Sequence, residues 1–370
     1  MLGSATQANP GMRTAARAAG CPALEPVGAP LQALLDEFLA ARVGELAEID
    51  GTLERIGTEI REFVLAGGKR LRPAFVYWGH RATGAEHDEG VLQPAAAVEL
   101  LHNFALIHDD VMDRSATRRG RPTVHEALAA VHGDEGLVGD PAWFGIGGAI
   151  LAGDLAFVWA DQLLDAAPVD AGAISRARAV FTRLRTEVMA GQYLDLRLAG
   201  STDAAEADSL RVALLKSGRY TVTRPLQLGA ALGASEAVLD AALCAYGDAV
   251  GIAFQLRDDI LGLFGDPAET GKSAAEDLRE GKRTMLVLRA LELAEPAQRD
   301  ALAGMLGDPD VDDDTADRAR DIVLRSGALH AVERYLERQH ERARRALAPV
   351  DRTARTALEQ LADLALHREG

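Results

Sequence analysis

The 370-residue sequence predicts an all-α protein, a single-domain bundle of long helices, and three observations carry that prediction. No run alternates strictly between apolar and polar residues, as a half-buried strand would. The chain is 48% hydrophobic but only 5% aromatic, with Ala, Leu and Arg prevalent, a palette of helix formers. From Ala95 to Asp113 there is neither Gly nor Pro, and Leu100, Leu101, Phe104, Leu106, Ile107 and Val111 cover most faces, which describes a helix buried in a larger bundle.

In chain order, residues 1 to about 30 are rich in Ala, Gly and Pro without periodicity and are expected to form a flexible arm, leaving 31–370 as the folded domain. Leu31 to Ala66 keeps helical spacing and stops at Gly67-Gly68. Gly133 to Gly148, which contains Gly-Asp-Pro-Ala, is expected as a loop leading into the helix of Asp154, Phe157 and Trp159. A second apolar helical run extends from Tyr246 to Leu261. Gly265 to Arg283 is expected as another loop, of a length more often functional than merely connecting. The acidic stretch Asp308 to Asp314 fits a solvated turn, and the last 55 residues resume helical spacing with alternating charge, as an outer layer would. No internal repeat or linker interrupts residues 31–370.

The net charge of −16 argues against a general nucleic-acid or anionic-membrane binder. No stretch of 18 or more apolar residues suggests a membrane span, and the N-terminus lacks the apolar core of a signal peptide. Only Cys21 and Cys244 are present, too few for a disulfide framework, so a cytoplasmic protein is expected. Of the 40 basic residues just four are Lys: Lys69, Lys216, Lys272 and Lys282. A chain that uses Arg almost everywhere else has kept a compact ammonium, suited to point-charge contact with phosphate, at these positions.

Two aspartate clusters carry the chemistry. Asp109-Asp110-Val111-Met112-Asp113 and Asp258-Asp259 lie about 145 residues apart, each on an apolar helical run. Carboxylates this close repel by several kcal/mol when water is excluded, so each cluster needs solvation or a cation. Asp109 and Asp113 are four residues apart and share a helix face. The second pair lies near a helix C-terminus, where the macrodipole is also negative. Hard oxygen ligands without neighbouring Cys point to Mg2+, which binds one or two carboxylates together with waters and substrate phosphates.

Against this background the residues resemble a known family. Gly67-Gly68-Lys69-Arg70-Leu71-Arg72-Pro73, His102 seven residues before the first cluster, Arg118-Arg119-Gly120, Gly191-Gln192, Lys216 and Phe254-Gln255-Leu256-Arg257-Asp258-Asp259 follow the order and spacing of the trans-isoprenyl diphosphate synthases. The resemblance covers about residues 31 to 290. It implies a helical bundle around a central cavity, the isoprenoid synthase fold, a homodimer, and condensation of isopentenyl diphosphate with allylic diphosphates. By this resemblance Asp109, Asp113 and Asp258 ligate Mg2+, with Asp110 and Asp259 supporting or ligating through water. Arg118, Lys216 and Lys272 hold the allylic diphosphate, and Gln255 turns its amide oxygen to the developing cation. Lys69, Arg72, His102 and Arg119 match the contacts of isopentenyl diphosphate, in a basic pocket without metal. The loop bearing Lys272 and Lys282 closes over an apolar cavity and keeps water from the cation.

Two positions depart from the family pattern. The second cluster reads Asp258-Asp259-Ile260-Leu261-Gly262, with Gly where a third Asp is usual and Asp266 four residues beyond as a candidate substitute, and Ser217 stands where Thr is common. Product length is read from the residues upstream of Asp109. Ala105 lies one turn below and Leu101 about two, each turn advancing roughly 5.4 Å, close to one isoprene unit. A small Ala105 lets a chain pass, and Phe104 is expected to form part of the floor. That pattern resembles synthases of the geranylgeranyl type, giving a C20 product with C15 as the alternative. A class I terpene cyclase would carry an Asn/Asp-Ser/Thr-Glu motif that Asp258 to Asp266 does not match, and a non-catalytic partner subunit would be expected to have lost the aspartates this chain keeps.

Overall fold

The computed structural model describes residues 20–85, 90–201, 203–233, 235–265 and 274–366. They form two compact units. The first comprises Leu24–Arg178 and Leu228–Ala234, and the second Ala179–Gln227 and Ser235–Gly370 with residues 20–23. The fold is all-α. Among the described residues the only strands are β1 (Thr117–Arg118) and β2 (Arg121–Pro122).

The first unit contains α1 (Gly28–Ile49), α2 (Glu54–Leu65), α3 (Leu71–Arg81), α4 (Leu92–Met112), α5 (Val124–Asp134) and α6 (Pro141–Asp165). Within the stretch expected as an arm, Pro22–Leu24 make a 3-10 turn and Val27 is fully buried. The helix expected over Leu31 to Ala66 is two helices. Asp50 turns to an extended conformation and its carboxylate accepts from the Thr52 amide at 2.9 Å, so a side chain outcompetes the helical ladder at that point.

The loop expected over Gly133 to Gly148 shrinks to residues 135–140. Asp140 caps α6 by accepting from the Ala142 amide at 3.0 Å, and Pro141 occupies the first turn. Gly145 lies inside that helix because a Cβ there would stand 2.1 Å from the His125 carbonyl oxygen. A glycine that looks like a loop signal in sequence is here a requirement of close helix packing.

The second unit holds α7 (Ala171–Ala199) from Ala179 onward, then α8 (Glu206–Val212), a π-helix (Ala213–Thr223), the start of α9 (Arg224–Leu232), α10 (Ala237–Phe264), α11 (Ala274–Arg279), α12 (Met285–Leu293), α13 (Pro296–Met305), α14 (Asp313–Ser326), α15 (Ala328–Ala346) and α16 (Arg352–Leu366). Leu256, Ile260 and Leu263 of α10 share a core with Leu278, Leu286, Leu302, Val323 and Val332. The loop expected over Gly265 to Arg283 contains the short helix α11, which buries Ala275 and Leu278. Asp312, in the acidic stretch expected as a turn, caps α14 by accepting from the Thr315 amide at 2.9 Å.

Helices α6 and α10 are long and apolar enough to span a membrane by length and composition, each with an 18-residue window of mean hydropathy 1.5. Half of the α10 window is buried inside the protein, but only 33% of the α6 window.

Candidate active site

In the first unit, α4 buries Leu100, Leu101, Phe104 and Ile107 and delivers the first aspartate cluster at its C-terminus. The helix ends in a Schellman turn. The Ser115 amide donates to the Asp110 carbonyl at 2.9 Å and the Arg114 amide to the Val111 carbonyl at 3.3 Å, with Arg114 at φ 54°. Asp113 is the residue at which the helix stops, its amide 2.8 Å from the Asp109 carbonyl oxygen. Asp109 and Asp113 therefore stand, half-buried, at the negative end of a helix dipole.

Asp110 is different, being 1% exposed. Arg118 Nε donates to both its carboxylate oxygens at 2.7 and 2.9 Å, and Nη2 lies 2.6 Å from Oδ1. Burial pushes the Asp110 carboxyl up and the guanidinium pulls it back. Arg118, expected on the allylic diphosphate, thus commits much of its fork to Asp110. A hairpin holds it there, β1 and β2 pairing Arg118 with Arg121 around Arg119 (φ 53°) and Gly120 (φ 74°), two central residues of positive φ.

The basic residues gather around His102. Burial, and then the positive charges of Arg72, Arg119, Arg118 and Arg70, hold its pKa well below the ordinary value, so the imidazole is neutral at pH 7. Arg119 sits over the Gly67-Gly68 turn, donating to the Gly67 carbonyl. That turn leads through Lys69 to the N-terminus of α3, where the dipole also favours an anion. Arg70 does other work: 8% exposed, it pairs with buried Glu99 and donates to Gln32 and the Val64 carbonyl at 3.0 and 2.9 Å. The structure brings Arg72, His102 and Arg119, expected on isopentenyl diphosphate, together with Arg118, expected on the allylic diphosphate, and Lys69 is next to Arg70 in sequence.

Of the residues assigned to product length, Leu101 is completely enclosed, whereas Ala105 is half-buried. Phe104 packs at a centroid distance of 5.0 Å on Phe157 of α6 and 4.7 Å from His108. Phe157 is an addition that spacing along α4 could not supply.

In the second unit, α10 carries Gln255, Asp258 and Asp259 on its last turns. Ser217 Oγ donates to Gln255 Oε1, and Gln255 Nε2 donates to Asp259 Oδ1 at 2.8 Å. The amide oxygen expected to face substrate thus accepts from Ser217. Burial, opposed by the Gln255 hydrogen bond and reinforced by Asp277 and Asp258, raises the Asp259 pKa to about 7. Lys216 Nζ lies 2.7 Å from Asp195 Oδ2, and Lys282 Nζ 2.8 Å from Asp277 Oδ1 and 2.6 Å from Glu280 Oε2.

A Cβ at Gly262 would stand 2.3 Å from Asp277 Oδ2, so the departure from the family pattern makes room for a carboxylate from α11. Lys272 and Asp266 lie outside the described residues. Asp195 and Asp277 were not anticipated. Each contacts its lysine at a sequence separation, 21 and five residues, that follows no motif.

Among the described residues no three or more His, Cys, Asp and Glu side chains form a ready metal cage. Mg2+ itself takes one or two carboxylates and completes its octahedron with water and substrate phosphate. Asp109 and Asp113 fit this donor set in type and spacing. Asp110, buried under Arg118, fits a supporting role.

The polyprenyl synthetase family model matches residues 54–323. The chain is 34% identical over 324 residues to a geranylfarnesyl diphosphate synthase of Aeropyrum pernix, covering 86% of this chain and 95% of that one. It is also 34% identical over 304 residues to a geranylgeranyl diphosphate synthase of Mycobacterium tuberculosis, covering 80% and 79%. A crystal structure of geranylgeranyl pyrophosphate synthase from Corynebacterium glutamicum, complexed with isoprenyl diphosphate and magnesium, superposes with a TM-score of 0.86 at 38% identity over 91% of this chain and 97% of that one. The chain belongs to the polyprenyl synthetase family, the trans-isoprenyl diphosphate synthases.

Proposed function

We propose that this protein is a Mg2+-dependent prenyltransferase that condenses isopentenyl diphosphate with allylic diphosphates and releases an all-trans C20 product, geranylgeranyl diphosphate. One observation carries the reading: the first unit holds both a neutral His102 among four guanidinium groups and a carboxylate pair at a helix C-terminus. The first set suits a diphosphate bound without metal, the second a diphosphate bound through it. Relatives named for geranylgeranyl diphosphate support the C20 length, and one is named for the C25 product.

Lys69, Arg72, His102 and Arg119 bind isopentenyl diphosphate, whose carbon–oxygen bond must stay intact. Asp109 and Asp113 in the first unit, with Asp110 in support, and Asp258 in the second, with Asp259 in support, would hold Mg2+, and Lys216, Lys272, Lys282 and Arg118 would add positive charge for the allylic diphosphate. When bound, Mg2+ supplies Lewis acidity to the leaving diphosphate oxygens. Stabilising charge as it develops on the leaving group lets the allylic carbon–oxygen bond break. The isopentenyl double bond attacks the resulting carbocation, forming the new carbon–carbon bond. A proton then leaves to the released diphosphate, so no protein nucleophile is needed. Gln255, oriented by Ser217, supports Asp259 within the second unit.

Ala105, Phe104 and, one turn further along α4, Leu101 set the product length. Mass analysis of dephosphorylated products from isopentenyl diphosphate with dimethylallyl, geranyl or farnesyl diphosphate tests this. A dominant C20 alcohol supports it, and C15 or C25 and longer overturns the length. Ala105→Phe is expected to shorten the product by about one isoprene unit, one helical turn.

A homodimer is part of the same reading. Trp143 (71% exposed), Leu151 (59%) and Val158 (54%) form an apolar stripe along α6 at helical spacing, suited to a second copy of the chain. Light scattering tests it: a mass of one chain would reject the dimer. A cytoplasmic location belongs to the same reading.

A further inference from the structure

One helical run departs from regular α-helix, the π-helix Ala213–Thr223, which carries Lys216 and Ser217. A π-helix is usually a single-turn bulge, so eleven residues of it need holding from outside. Two kinds of contact in the second unit do this. The first is backbone against backbone. A Cβ on Gly191 of α7 would lie 2.4 Å from the Lys216 nitrogen, one on Gly251 of α10 2.3 Å from Gly218 Cα, and one on Gly247 2.6 Å from Thr223 Cα. The broad helix therefore rests on two neighbours at places where they present no side chain.

The second kind is polar. Glu187 of α7 accepts from Arg219 Nη1 at 3.3 Å and from Arg224 Nε and Nη2 at 2.8 and 2.6 Å. Asp248 of α10 accepts from Arg219 Nε and Nη2 at 3.3 and 3.2 Å and from Thr223 Oγ1 at 2.7 Å. Arg219 and Arg224 are five residues apart yet meet the same Glu187. In an α-helix, side chains five apart point about 140° away from each other. The i→i+5 ladder of a π-helix returns them to one face, and the Arg224 amide does donate to the Arg219 carbonyl.

We propose that Glu187, Arg219, Arg224 and Asp248 form a register clamp that keeps 213–223 π-helical and so aims Lys216 and Ser217 at the reacting diphosphate. They are positioning residues, and the inference rests on the proposed function of Lys216. An α-helical register would turn Lys216 away from Asp195 and Ser217 away from Gln255, breaking the chain of hydrogen bonds that reaches Asp259. The clamp charges are mostly half-buried, with Arg224 buried, and they act on the reaction only through the placement of Lys216 and Ser217.

The test is a double-mutant cycle between Arg219→Met and Lys216→Ala, read in steady-state kinetics. R219M is expected to lower kcat/KM for the allylic diphosphate about tenfold or more, to leave KM for isopentenyl diphosphate within about twofold, and to add less than about twofold to K216A. Hydrogen exchange across 213–223 should rise in R219M while α12 to α16 stay protected. Full multiplication of the two effects, or an R219M enzyme within about twofold of the parent, overturns the clamp. If R219M does not fold, the isosteric Asp248→Asn enters the same cycle with the same criteria. A K216A enzyme of parental activity would reject the Lys216 assignment, and the catalytic role of the clamp with it.

Discussion

The two aspartate clusters begin with the same dipeptide and neutralise its second member by different means. At Asp109-Asp110, the buried second carboxylate is matched by the guanidinium of Arg118, delivered by a hairpin six residues after the helix ends. At Asp258-Asp259, the partner of the second carboxylate is the uncharged amide of Gln255. Asp110 is thus fixed by an ion pair, while Asp259, its pKa raised to about 7, holds a proton more readily than an ordinary carboxylate. The third position differs as well. Asp113 is the stop residue of its own helix, whereas Gly262 opens a space that Asp277 fills from α11. A sequence motif repeated twice need not be the same electrostatic device twice.

The largest expected effect tests the fixed cluster. Asp113→Ala should lower kcat/KM about a thousandfold, consistent with several kcal/mol of transition-state charge stabilisation, with little change in melting temperature. Next, Arg118→Met strands the buried Asp110 charge and should cost about 3 kcal/mol in denaturant unfolding, of which Asp110→Asn in the same chain recovers a large part. No recovery would mean that Arg118 acts on substrate and not through Asp110.

The proton stored at Asp259 gives a pH signature. Its folded pKa is raised above the unfolded 3.8, so the folded state holds the extra proton between about pH 4 and 7, and stability falls as pH rises through that window. Without Mg2+, Asp259→Asn should therefore gain about 1 kcal/mol or more over the parent at pH 8 and nothing at pH 3.5. Melting curves at the two pH values decide it, and a parallel shift at both would refute the raised pKa. The smallest effect concerns the third position. Gly262→Asp should lower activity about threefold through collision with Asp277, and Asp277→Gly in the same chain should relieve it. An additive loss would show that the space at Gly262 has no bearing on the site.

Much of this was legible in the sequence because helices announce themselves locally. The Gly-free run up to Asp113 fixed a buried helix, and the four-residue spacing of Asp109 and Asp113 put them on one face. The misreadings share a cause. Gly145 and Gly148 looked like loop residues, but they let α6 approach α5, a tertiary demand that no local pattern encodes. The break at Asp50 depended on one side chain winning an amide from the helix. The π-helix has no sequence period of its own, and the Glu187 to Asp248 network joins three helices. Likewise, Arg70 and Arg72 are two residues apart, yet one is spent on buried Glu99 and the other faces His102, a division visible only once α4 is packed.

The most direct measurement is the rate at which purified protein incorporates labelled isopentenyl diphosphate into farnesyl diphosphate with Mg2+ and with excess chelator, for the parent, Asp113→Ala and Asp258→Ala. The predicted result is elongation in the parent that stops with chelator and falls sharply in both variants. Elongation indifferent to chelator or to D113A, or none in a folded parent, would contradict the assignment of the aspartate clusters to a Mg2+-dependent prenyl transfer.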